Sequence, residues 1–194
     1  MKLLPDASVD LVLTDPPYGI NYQSAWRIDK ERFAILDGDA KPDSTSVKEL
    51  FRVLKEGGAI YLFTRWDVYP FWLQALSDVG FMIKNCIVWD RVMHGLGDLA
   101  GGYAYCHDFI IFATKKRHLL KNGRPKDVIR IKHVDAEKLL HPTQKPVSLM
   151  RQFIENSTFN EELVLDPFMG SGTTAVAAKQ LGRNFIGFEI SIEY

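Results

Sequence analysis

Val9-Asp10-Leu11-Val12-Leu13-Thr14-Asp15-Pro16-Pro17-Tyr18 is the stretch on which the reading of this chain turns. Its first six residues form an apolar run typical of a buried strand. Then come an acid, two prolines and an aromatic, where the strand must stop. Neither proline has a backbone N–H to donate, so the ladder cannot continue through them. Carbonyls near them stay free of regular pairing, beside a carboxylate and a flat ring. Such a cluster can hold a planar amino group: Asp15 and a carbonyl accept its two hydrogens while Tyr18 stacks on its ring. Asp and Pro are also ordinary turn residues, so four residues alone do not separate a clamp from a turn.

Working outward, apolar runs alternate with helical spacing. The next helix is expected after Ser44 or Ser46, either of which would cap it, and runs to about Lys55 with Val47, Leu50, Phe51 and Leu54 on one face. Gly57-Gly58 should end it. Ala59 to Phe63 reads as a strand, Val68 to Val79 as a helix, and Phe81 to Trp89 and Asp108 to Thr114 as two strands. Pro146 opens a helix to about Glu155. Leu163 to Asp166, Thr173 to Leu181 and Asn184 to Phe188 then read as strand, helix, strand. That makes six candidate strands in an α/β sheet with helices on both faces. The polar stretch Asn21 to Pro42 reads as a loop or short helix beside the site.

The chain has 194 residues, 46% of them hydrophobic and 25% charged, enough for one domain with a real core. Its formal net charge is zero, so a nucleic-acid partner has to be met by a local patch. Thr114 to Leu140 is that patch, with nine basic residues against three acidic ones. Lys115, Lys116, Arg117, Arg124 and Arg130 are its candidate phosphate contacts, although a lysine-rich solvated excursion has the same composition. No run spans a bilayer and no signal peptide opens the chain, so a cytoplasmic protein is expected. Cys86, His94, Cys106 and His107 match no zinc spacing, and no metal is expected.

The second constellation is Asp166-Pro167-Phe168-Met169-Gly170-Ser171-Gly172-Thr173-Thr174, between a strand and a helix. Gly170 and Gly172 let the backbone turn tightly and approach a ligand. The helix start offers free N–H groups. Glu189 ends the following strand, where an acid suits ribose hydroxyls. Read alone, Gly170-x-Gly172-x-x-Ala175 is a weak dinucleotide fingerprint. A nucleoside with a ribose and an amino-acid tail fits it equally well. No Lys follows the glycines, which argues against a nucleoside triphosphate.

Together the two constellations resemble the amino-group DNA methyltransferases that use S-adenosylmethionine. Asp15-Pro16-Pro17-Tyr18 is similar to their catalytic motif and Phe168-Met169-Gly170-Ser171-Gly172 to their cofactor motif, in the order of the beta group. Leu54 to Tyr61, Ile87 to Asp90, His107 to Phe112 and His141-Pro142-Thr143-Gln144-Lys145-Pro146 are similar to other segments of that group. The resemblance implies a Rossmann-like methyltransferase sheet of seven strands, mostly parallel with an antiparallel hairpin. Six are counted here, since members usually begin with one more strand before the segment like Leu4 to Asp10. Members also usually continue with a helix after the segment like Glu189 to Tyr194, so both ends read as short and a catalytically weak remnant is a competing reading.

It also implies one methyltransferase domain over 1–194, with target recognition at about 91–140, in Gly95 to Gly102 and Thr114 to Leu140. Asp15 and the Pro16 carbonyl would accept the amino hydrogens, with Pro17 and Tyr18 completing the motif. Asp166, Pro167, Phe168, Gly170, Ser171, Gly172 and Thr173 would hold the cofactor, Glu189 its ribose, and Thr143 and Lys145 its carboxylate. The partner would be double-stranded DNA with a flipped base. A homodimer and a restriction endonuclease partner are compatible with this. Asp heading the motif favours adenine N6 over cytosine N4. A nicotinamide-dependent oxidoreductase would use the glycine turn but leaves Asp15 to Tyr18 unexplained.

Overall fold

The computed structural model describes residues 1–18, 44–93, 100–134 and 144–190. The readings placed on Asn21 to Pro42, on Gly95 and Gly97, and on His141 and Thr143 lie outside those residues. Seven strands form one sheet: β1 (Val9–Thr14), β2 (Leu54–Thr64), β3 (Met82–Asp90), β4 (His107–Thr114), β5 (Val128–Arg130), β6 (Leu163–Asp166) and β7 (Asn184–Gly187). Their order across the sheet is β5-β3-β4-β2-β1-β6-β7. Only β4 runs against its neighbours, antiparallel to both β2 and β3, and every other pairing is parallel.

Among the described residues, four helices cover the sheet: α1 (Val47–Val53), α2 (Tyr69–Asp78), α3 (Val147–Ser157) and α4 (Thr173–Gln180). Leu11 and Leu13 of β1 pack with Tyr61, Phe63 and Trp89 under Phe153, Ile154 and Ala178 of α3 and α4. Val12 points the other way, into Val47, Leu50, Trp72 and Leu76 of α1 and α2. Successive side chains of a strand alternate between faces. Because both faces of β1 are covered, its sequence reads as a continuous apolar run. Each large side chain buried this way stabilises by about 1.5–3 kcal/mol relative to leaving it in water.

Three expectations need correcting. The helix after Ser46 starts as expected, but no serine hydroxyl caps it, and the Ser46 Oγ is buried without a partner. The Ser46 carbonyl instead takes the Leu50 N–H at 3.0 Å. Nor does Gly57-Gly58 end that helix. α1 stops at Val53 and the chain passes straight into β2, which contains both glycines. Gly57 has φ +80° and donates its N–H to the Lys115 carbonyl. A Cβ at Gly58 would stand 2.8 Å from the Leu54 side chain. The two glycines thus shape an irregular start to β2, where the register slips between Val9 opposite Leu54 and Leu11 opposite Ala59. Finally, the sheet has a seventh strand, β5, inside the stretch read as a basic, target-recognition patch without regular structure. It has three residues, and only Ile129 is buried, so charge on both sides conceals it.

Candidate active site

Parallel strands end together, and here β1, β2, β3, β5, β6 and β7 all deliver their carboxyl ends to one edge. Asp15 follows β1 directly, and Asp166 closes its neighbour β6. Ligands of open α/β sheets bind at that edge. Pro16 is buried, and Asp15, Pro17 and Tyr18 are half-buried. The Tyr18 hydroxyl donates to Asp15 Oδ1, and the Lys145 ammonium meets Asp15 Oδ2. Lys145 is 7% exposed along its side chain and Asp15 16%. The ammonium also lies 5.3 Å from the Phe63 ring centroid and 6.0 Å from that of Tyr18. Burial, followed by the charges of Asp15 and Asp108, holds the Tyr18 phenol well above its ordinary pKa, so it is a donor at neutral pH.

The second half of the site is the β6–α4 turn. Gly170 (φ +49°) and Gly172 (φ +73°) are both left-handed, a region glycine enters without penalty. Met169 N–H is held by the Phe188 carbonyl at 2.9 Å and Gly172 N–H by the Met169 carbonyl at 2.9 Å. Asp166 receives the Thr174 hydroxyl at 2.7 Å and the Phe168 N–H at 3.2 Å. Burial nevertheless pushes its carboxyl up to about 7. Ser171 Oγ and Thr173 Oγ1 lie 3.1 Å apart, and Pro167 is buried. Glu189 reaches back to accept the Gly170 N–H at 2.7 Å. Two residues expected to hold a cofactor therefore hold each other. A Cβ at Gly172 would meet nothing within 4 Å, so that side of the turn is open. The open glycine turn, its hydroxyls and the carboxyls of Asp166 and Glu189 suit a cationic nucleoside carrying ribose and amino-acid groups.

The ammonium of Lys145, expected at a cofactor's carboxylate, lies against Asp15. The basic candidates scatter. Thr114 pairs with Ala59 at the middle of β2, whereas Thr14 pairs with Leu62 near its end. Lys115, Lys116 and Arg117 follow Thr114, so they lie roughly 17 Å down the strands from Asp15, at about 3.3 Å per residue. Lys115 donates to the Phe51 and Leu54 carbonyls at 2.7 and 2.8 Å, closing the end of α1. Arg124 borders a cavity of about 360 Å³ with Tyr61, Phe112 and Phe153, on the α3 side of the sheet. Arg130 alone of the five ends a strand at the Asp15 edge, where it is 74% exposed and 3.4 Å from Asp90.

Sequence reasoning missed a polar cluster beside Tyr18. Because β4 is reversed, Asp108 enters the same edge from the opposite direction. It accepts the Tyr105 hydroxyl at 2.9 Å and faces Arg91 at 3.8 Å. The Arg91 guanidinium stacks 4.6 Å from the Tyr105 ring, and His133 stacks on Trp89 at 5.6 Å. Burial, then nearby Lys145 and Arg91, lowers the His133 pKa and keeps it neutral. The available signal was a charged residue at the end of each apolar run, Asp90 and Asp108. Among the described residues, no three His, Cys, Asp or Glu side chains group as for a metal ion, and no helix is long and apolar enough to cross a membrane.

The DNA methylase family (N6_N4_Mtase) matches residues 9–194. The DNA adenine methyltransferase YhdJ of Escherichia coli strain K12 is 32% identical, over all of this chain and 76% of its own length. The crystal structure of the M1.HpyAVI–SAM complex superposes with a TM-score of 0.76 at 28% identity, covering 100% of this chain and 86% of that one. The cytosine-N4-specific PvuII DNA methyltransferase shares the fold, with a TM-score of 0.78 at 19% identity over 100% of this chain and 79% of its own.

Proposed function

The chain belongs to the N6/N4 DNA methylase family, the S-adenosylmethionine-dependent amino-methyltransferases of DNA, and on that premise we propose that its target is the N6 amino group of adenine. The observation that carries this reading is Asp15, fixed at the carboxyl end of β1 between the Tyr18 hydroxyl and the Lys145 ammonium. S-adenosylmethionine supplies, when bound, a methyl group on a positively charged sulfur. The Gly170–Thr173 turn, Asp166, Phe168 and Glu189 are the residues placed to hold it, with buried Pro167 shaping the turn.

An exocyclic amino group on a base is a poor nucleophile, because its lone pair is delocalised into the ring. Asp15 and the Pro16 carbonyl each accept one of its N–H bonds. That favours a pyramidal nitrogen with its lone pair directed away from the ring. As the amino nitrogen takes that methyl group, the sulfur would keep the electron pair of the broken S–C bond and the nitrogen would pass one proton toward Asp15. The protein's contribution is orientation and preset electrostatics in a site that excludes water. In a duplex the amino group is blocked by pairing and stacking, so the base must be turned out, and Tyr18 offers a ring against it.

The whole chain acts as one methyltransferase domain. Within 91–140, β4 and β5 belong to the sheet, so target reading falls to the loops that leave its catalytic edge. An Asp at the head of the motif, and a relative named as an adenine enzyme, support adenine over cytosine N4. Labelled methyl transfer to unmethylated DNA, followed by nucleoside analysis, tests the proposal. N6-methyldeoxyadenosine is expected from the protein and an at least ~100-fold lower yield from Asp15→Ala. N4-methyldeoxycytidine would reassign the base. No transfer at all would leave a DNA-binding remnant.

A further inference from the structure

We infer that Lys145 is a positioning residue for the catalytic carboxylate: it fixes Asp15 in the orientation that receives the amino group, rather than holding the cofactor's own carboxylate. The inference rests on Asp15 being the amino-group acceptor. A buried ammonium costs several kcal/mol unless it is paired, and the partner it meets is Asp15 Oδ2. The Phe63 and Tyr18 rings flank it at 5.3 and 6.0 Å, where their faces attract a cation.

The chain supplies Lys145 from a stiff support. It immediately precedes Pro146, which confines it to extended backbone. The Pro146 carbonyl accepts the Leu149 and Met150 N–H groups, at 3.1 and 3.3 Å, to start α3. Leu149, Phe153 and Ile154 anchor that helix in the core beneath β1. On the other side Pro16 and Pro17 restrict the backbone after Asp15, and the Tyr18 hydroxyl occupies Oδ1. Both oxygens are thus gripped, which sets the plane of the carboxylate. Each oxygen has two lone-pair positions, so one on each remains for an incoming N–H. A misplacement of about 1 Å at such an acceptor costs on the order of 100-fold in rate.

The test compares the protein with Lys145→Met, Lys145→Arg, Asp15→Asn and the Asp15→Asn/Lys145→Met double variant. Calorimetry gives the Kd for S-adenosylmethionine, single-turnover transfer gives the rate at saturating cofactor, and thermal melting gives stability. Lys145→Met should lower the rate about 100-fold while leaving the cofactor Kd unchanged. Lys145→Arg, which keeps the charge, should recover part of the rate. The Tm losses of the two single variants should sum to more than that of the double, because each single change removes one half of the same buried ion pair. If Lys145→Met does not fold, Lys145→Arg decides: a lower rate at unchanged Kd supports positioning. A weakened cofactor Kd with the saturated rate intact, or additive Tm losses, would overturn the inference. Full activity in Asp15→Asn would instead overturn the amino-acceptor role itself.

Discussion

At the carboxyl end of β6, Asp166 holds its proton to about pH 7, because burial penalises the charged form more than its bonds from Thr174 and Phe168 favour it. The unfolded chain gives up the same proton near pH 3.8. Between those values the native state binds more protons than the unfolded one, so this carboxyl's contribution to stability falls as pH rises, by up to about 1.4 kcal/mol per unit. It is fully present below about pH 4 and gone above about pH 7. Asp166→Asn should remove that dependence. Melting temperatures taken from pH 4 to pH 8 should show wild type losing ground to the variant up to about pH 7 and running parallel to it beyond. Parallel curves throughout would mean that Asp166 ionises normally.

Among elements, α1 and β5 show where sequence reading stopped. The strong periodic runs of β1, β2, α2, β4 and α3 were legible, because each buries a face that leaves its mark at every second or every third to fourth residue. Asp15 to Tyr18 and the Gly170 turn were legible too, since prolines and left-handed glycines restrict backbone in ways that few other residues do. Gly57-Gly58 misled, because a glycine pair is a helix-stop signal and a strand bulge alike. The difference lies in a long-range bond to the Lys115 carbonyl. Lys115 misled for a similar reason: its charge goes to the Phe51 and Leu54 carbonyls, where α1 meets β2, more than sixty positions away in the chain. Lys115→Ala should therefore lower stability by about 1 kcal/mol, as loss of a helix-end cation does. It should leave DNA affinity and its salt slope unchanged. Arg130→Ala should do the reverse, weakening binding to all DNA sequences and flattening the salt slope by about one. Filter-binding titrations across a salt series, alongside denaturant melts, check both halves.

Taken whole, the molecule places its chemistry along one edge of the sheet, and that edge draws on every strand. Cofactor binding should therefore tighten the entire domain. At one hundred times its Kd, S-adenosylmethionine should add about 2.7 kcal/mol, seen as a single cooperative shift in Tm. NAD at equal concentration should add nothing, which separates this protein from a dehydrogenase sharing the glycine turn. Loops on the edge, with Trp66 60% exposed between Arg65 and Asp67, present aromatic and basic side chains outward.

The position of β1 has one more consequence. It is made well before β6, yet it lies in the interior of the sheet, clasped between β2 and β6. Its Asp10 carboxylate receives the Leu163 N–H across 153 positions of chain. At a synthesis rate of roughly 5–20 residues per second, β1 leaves the ribosome roughly 8 to 30 seconds before the strand that completes its pairing. Throughout that interval one flank of this buried strand has no partner. A nascent chain therefore carries a sticky, half-paired strand until β6 has been made, and newly made molecules should lean on holdase chaperones until then.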